Sequence, residues 1–207
     1  MLNNIKKNPL KHPDQRVGVF IDVQNLYYSA KNLYGKKVNF GAIVKEAVGD
    51  RKLIRAIAYV VRTESKDEQP FFEALYKLGI ETKEKDLQIF STGLKKADWD
   101  VGLTVDAIRL ASSLDAIIIA SGDGDYLPLV EYLQKSSGKQ VEVIAFGETT
   151  SSKLIDEVDD FIDMGVEKEK FLIQDRKIIP GRNIRKNTSR GPRKPKEYVP
   201  PTIKRSV

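Results

Sequence analysis

Short apolar runs alternate along the chain with segments whose apolar residues recur every three or four positions. That rhythm predicts a parallel sheet with helical crossovers. The run at 17–22 (VGVFID) has no polar side chain before its final aspartate, as expected of a strand buried on both faces. Segments 53–61 (LIRAIAYVV), 115–120 (DAIIIA) and 141–146 (VEVIAF) predict three further strands, and 161–164 predicts a last one at an edge. Helical spacing falls at 26–33, 40–47, 70–78 ahead of Gly79, 98–112, 127–134, and around Leu154 as far as Asp159. Segment 80–90 fits either one strand or a strand with a turn.

These elements divide the chain into a polar arm at 1–16, one α/β domain at 17–165, and a linker with a basic tail at 166–207. Past Phe171 the rhythm stops. The last 32 residues hold five prolines and too few large apolar side chains to bury a face, so the tail is predicted to be disordered or ordered only by a ligand. Charge sharpens the division. Residues 176–207 carry eleven Lys and Arg against the single acid Glu197, a charge of +10, which leaves −4 on residues 1–175.

Composition narrows the chemistry. Cysteine is absent, which excludes thiol nucleophiles, disulfides and thiolate metal sites, and the one histidine, His12, lies in the polar arm. A Ser-His-Asp triad or an imidazole acid–base pair is therefore excluded from the domain, and carboxylates remain. No apolar run approaches the roughly 18 residues of a membrane span, and no apolar stretch follows the charges of the arm as in a secretory signal. The expected compartment is the cytoplasm, with no membrane contact.

In open α/β sheets ligands bind beyond the carboxyl ends of the strands. The first strand ends on Asp22, with Asn25 three residues on, and the 115–120 strand runs into Ser121, Gly122, Asp123, Gly124 and Asp125. Hard divalent cations take oxygen ligands, commonly one or two carboxylates completed by water and phosphate oxygens. An aspartate after a strand also serves as a helix N-cap, the ordinary reading of Asp22 taken alone and an equal alternative for Asp125. A third group, in KKADWDVGLTVDAIRLA, adds Asp98, Asp100 and Asp106. On a helix starting near Trp99, Asp100 falls in the apolar arc, where a lone carboxylate needs a cation. Asp106 lies about 120° away near Arg109, as in a solvated ion pair, unless Gly102 interrupts the helix and turns both acids to the site. Asp98 fits an N-cap.

Three strings, FIDVQN, WDVGLTVDA and IIIASGDGDYLPLV, occur in this order, and together they resemble the NYN branch of the PIN-like nucleases over roughly residues 17–165. The resemblance implies a Rossmann-like, PIN-type parallel sheet flanked by helices, with an acidic cluster that binds Mg2+ or Mn2+ and hydrolyses RNA. It places Asp22, Asp100, Asp106 and Asp123 as metal-holding catalytic residues, with Asn25 and Asp125 in support. The alternative is a PIN-like RNA-binding or regulatory module without turnover.

Weaker signals surround this centre. Lys95 and Lys96, and in the tail Arg182, Arg185, Lys186, Arg190, Arg193 and Lys194, are expected to meet phosphates of a single-stranded RNA partner. Tyr27 and Tyr28 can stack on bases, although core packing of at least one is the stronger expectation. The hydroxyls of 147–152 (GETTSS) suit a phosphate, with N-capping by Ser151 or Ser152 preferred.

Overall fold

The first apolar run becomes the centre of the sheet. In the computed structural model, which describes residues 11–62, 68–86, 88–89, 95–96 and 98–174, the chain runs through β1 (Arg16–Asp22), α1 (Val23–Tyr34), α2 (Phe40–Val48), β2 (Lys52–Arg62), α3 (Glu68–Lys77) and β3 (Glu81–Asp86). It continues through β4 (Gln88–Ile89), β5 (Lys95–Lys96), α4 (Asp100–Leu110), β6 (Ala116–Ala120), α5 (Leu127–Lys135), β7 (Gln140–Ala145), α6 (Ser152–Glu157), β8 (Asp160–Asp163) and α7 (Lys168–Phe171). Six strands form one parallel sheet in the order β3-β2-β1-β6-β7-β8, and β4 pairs antiparallel with β5 outside it. This is the α/β fold that the alternation predicts.

Burial explains the order. Every residue of β1 after Arg16 and every residue of β6 is buried, which suits two adjacent strands at the middle of a sheet covered on both faces. The chain builds outward from β1 through β2 to β3, then returns to the other side of β1 and builds outward again through β6, β7 and β8. The reversal leaves a crevice between β1 and β6 at their carboxyl ends. Asp22 and Ser121 lie at that edge, one ending β1 and the other following β6.

α4 runs unbroken through Gly102, so the alternative of an interruption there is not realised. The glycine serves packing instead. A Cβ there would lie 2.5 Å from Cε3 of Trp99, so only glycine leaves room for the indole on the first turn. Trp99 Nε1 donates to the Val60 carbonyl at 2.9 Å, which ties the start of α4 to β2.

The folded body reaches beyond the sequence boundary at 165. α7 follows β8, Phe171 and Leu172 are buried, and Asn39 N–H donates to the Phe171 carbonyl at 2.8 Å. An apolar pair this short carries no periodicity, which is why the sequence assigned it to the linker. The tail, with Arg182, Arg185, Lys186, Arg190, Arg193 and Lys194, lies outside the described residues, as do the side chains of Lys95 and Lys96. No helix among the described residues is long and apolar enough to cross a membrane.

Level with the middle of β6, Glu142 of β7 is fully buried against Arg51, which precedes β2. The guanidinium donates to both carboxylate oxygens at 2.5 and 2.9 Å, and to the carbonyls of Ala47 and Val48 at the end of α2. One arginine thus closes a helix C-terminus and neutralises a buried acid.

Candidate metal centre

Asp22 has two tasks. Its Oδ1 accepts from Asn25 N–H at 3.0 Å and so caps α1, as the ordinary reading expects, while Oδ2 faces the hydroxyls of Ser121 and Tyr126, each at 3.4 Å. The second oxygen is weakly served for a carboxylate that is 8% exposed. Burial pushes its pKa up, and the charges of Asp100 and Asp123 add to the rise.

Asp100 opens α4 and meets the same tyrosine, whose hydroxyl donates to its Oδ1 at 3.1 Å. Partial burial raises its carboxyl, and Asp123, Asp98 and Asp125 raise it further. Asp123 leads a 3-10 turn at Gly124–Tyr126, with its Oδ1 accepting from Asp125 N–H at 3.0 Å. The Tyr126 ring is buried, and its hydroxyl stands between two carboxylates from different elements. Neither Tyr126 nor Ser121 stands out in the sequence as a site residue, because each reads there as part of a strand end or helix start.

Asp22, Asp98, Asp100 and Asp123 line one cavity of about 500 Å³ with Gln24, Asn25, Tyr28, Ser29, Asn32, Tyr59, Trp99 and Thr149. Among the described residues that line it there is no Lys, Arg or His. Asn25 is fixed by accepting from Gly122 N–H at 3.1 Å, and it also borders a second cavity with Asp123, Glu148, Thr149, Thr150 and Ser151. Gly122 has to lack a side chain, because a Cβ would lie 2.6 Å from Thr150 Oγ1 and 3.1 Å from its Cα.

Asp106 stands apart. Its Oδ2 takes the Lys83 ammonium at 2.6 Å and the Tyr59 hydroxyl at 2.9 Å, and it does not line the cavity. Burial opposes its charge, but the bonds from Lys83 and Tyr59 more than offset that and hold its carboxyl below the usual range. The two acids of α4 therefore differ in kind: among the described residues Asp100 meets no cation, whereas Asp106 meets Lys83. The structure brings together three of the four aspartates expected at the centre, and Asp106 instead anchors Tyr59, a wall of the cavity.

Other expectations also change. Asp98 lies one residue before the N-cap position, which Trp99 occupies without a side-chain bond, so Asp98 lines the cavity instead of capping α4. Asp125 is exposed and lines neither cavity. Ser151 occupies the N-cap position of α6, yet its hydroxyl makes no capping bond. Tyr27 and Tyr28 both stay out of the core, at 39% and 50% exposure.

The donor chemistry fits a hard divalent ion. Among the described residues no three acids converge closely enough to enclose a cation, but magnesium keeps several waters and needs only one or two carboxylates. Asp22, Asp100 and Asp123 offer oxygen donors whose mutual repulsion a bound cation relieves.

An open parallel sheet with acids gathered at its switch point defines the class, a PIN-like nuclease fold. The chain belongs to the NYN domain family, whose model matches residues 16–167. It is similar to the Low amplitude and bright protein LabA of Synechococcus elongatus, at 26% identity over 160 residues that span 72% of this chain and 83% of that protein. The crystal structure of a protein of unknown function from Vibrio parahaemolyticus shares the fold with a TM-score of 0.72 and 31% identity, covering 80% of this chain and all of that one.

Proposed function

We propose that this protein is a divalent-metal-dependent ribonuclease that hydrolyses phosphodiester bonds of single-stranded RNA. One observation carries the reading: acids from β1, α4 and the turn after β6 line a single cavity with no basic residue among its described lining residues. Asp22, Asp100 and Asp123 would hold Mg2+ or Mn2+, which when bound supplies Lewis-acid activation of water and neutralises phosphate charge. Tyr126 and Ser121 orient the carboxylates through their hydroxyls, and Asn25 fixes the Gly122 backbone next to them. Asn25 lines both cavities beside these acids.

The test uses end-labelled single-stranded RNA and DNA with magnesium, manganese or a chelator. Cleavage of RNA that needs the metal and stops with the chelator is expected. A second reading, RNA binding without turnover, is favoured by the lack of a closed three-acid ligand set among the described residues. Binding with no cleavage under either metal would select it.

We assign the basic tail to affinity. The rest of the chain is net acidic, so an RNA is poorly attracted to the centre unless +10 of charge gathers it. Phosphate contacts of this kind release counterions and are steeply salt-dependent. Deleting residues 176–207 is expected to weaken RNA binding at low salt and flatten its salt dependence, with the cleavage rate at saturating RNA unchanged. An equal salt slope for both proteins refutes the assignment.

A further inference from the structure

We propose that Gln24, Tyr28 and Asn32 form a base-recognition strip on α1 that holds one unpaired nucleobase beside the acidic centre. The inference rests on the ribonuclease reading and names the part of the substrate this wall receives. Spacing of four residues aligns the three side chains along one face of the helix. All three line the cavity that Asp22, Asp100 and Asp123 line.

Their partners are missing. Among the described residues, the amides of Gln24 and Asn32 and the hydroxyl of Tyr28 have no hydrogen-bond partner, whereas Asn25, in the same cavity, is bound to Gly122. An amide offers a donor and an acceptor side by side, the pattern that pairs with a base edge. Tyr28 supplies an aromatic face, and Tyr27 supports it edge-on with ring centroids 5.3 Å apart.

Charge selects the base over the phosphate. A phosphate set against this wall would lie in a cavity with four acids and, among the described lining residues, no Lys or Arg, whereas a base is neutral. Size selects an unpaired base. A cavity of about 500 Å³ is in the range of small-molecule sites, and amides can reach a Watson–Crick edge only when the base is splayed from its partner.

The test compares the full-length wild type with Tyr28→Ala, Tyr28→Phe and Asn32→Ala, in Mg2+, on three probes: a single-stranded RNA, the same strand with abasic riboses, and its duplex. Trp99, the only tryptophan in the chain, lines the cavity, so its quenching by Mn2+ reports metal binding independently. Stacking lost at one base weakens binding by about five- to a hundredfold. Tyr28→Ala should lose that factor on the base-bearing strand, none on the abasic strand or duplex, and quench with Mn2+ like the wild type. Tyr28→Phe should stay within about threefold of wild type, because its ring still stacks. Asn32→Ala should change which base is preferred.

Wild-type affinity of Tyr28→Ala for the single strand, or an equal loss on the abasic strand, overturns the proposal. If the wild type cleaves RNA with metal in that case, the strip alone falls and the ribonuclease reading stands. If the wild type neither binds nor cleaves RNA, both fall.

Discussion

Asp100→Asn is expected to reduce metal-dependent RNA cleavage by on the order of a hundredfold or more, and Asp123→Asn added to it should cost little further, as for residues that hold one ion together. The same substitution should raise the melting temperature of the metal-free protein at neutral pH. The folded-state pKa of Asp100 is raised, first by burial and then by its acidic neighbours, so the metal-free fold resists its ionisation. That burden is absent below the unfolded pKa of about 4 and grows as pH rises through the folded value. The gain in melting temperature should therefore vanish as the pH falls toward 4. Adding Mg2+ should stabilise the wild type and do much less for the variant. A variant that cleaves like the wild type, or that melts lower at pH 7, contradicts the assignment.

Asp106→Asn should respond with the opposite sign. Its carboxyl is held low, so it contributes stability above the unfolded pKa and loses it as pH falls through the folded value. The substitution is expected to cost on the order of 1 kcal/mol at pH 7, a modest sum because Lys83 is 40% exposed and solvent screens the pair. Cleavage should fall by at most about tenfold, through loss of the bond that orients Tyr59. Thermal melts of the two variants across pH distinguish the acids of α4 without any activity assay.

The legible parts of this molecule are those in which neighbours in sequence decide the outcome. β1 and β6 announce themselves because strands buried on both faces must be apolar throughout. β3 (ETKEKD) could not be read so clearly: it is an edge strand with every residue at least partly exposed, and its pairing with β2 supplies order that its composition does not. Asp22 and Asp123 were legible as acids at the carboxyl edge, and Asp100 as a carboxylate in an apolar arc. The partner of Asp106 was not. A helical wheel offers only Arg109 on the same helix, whereas Lys83 arrives from β3, 23 residues earlier in the chain. Tyr28 misled for a related reason, because aromatic content suggests a core unless one knows that α1 turns that face to the crevice.

Glu142→Ala should destabilise the fold by about 3–5 kcal/mol, the largest stability effect expected of any single substitution here. The partner of Glu142, the second residue of VEVIAF, is not legible in the sequence, because Arg51 is 91 residues away and only the fold brings it near. Removing the carboxylate leaves a guanidinium 8% exposed, with its two helix carbonyls but no counterion. Gln140, which donates to the same carboxylate at 2.6 Å, also loses this acceptor, while Lys11, 3.2 Å from it, keeps Asp160 at 2.6 Å. Replacing both charges, as in Arg51→Met with Glu142→Met, should cost less than Glu142→Ala alone, because no buried charge is left without a partner. Since neither residue lines the acidic cavity, cleavage well below the melting temperature should remain near wild type for each variant. Denaturant unfolding decides the matter. A loss under about 1 kcal/mol for Glu142→Ala, or a double variant less stable than the single one, would show that the pair is not the buried anchor between α2 and β7 described above.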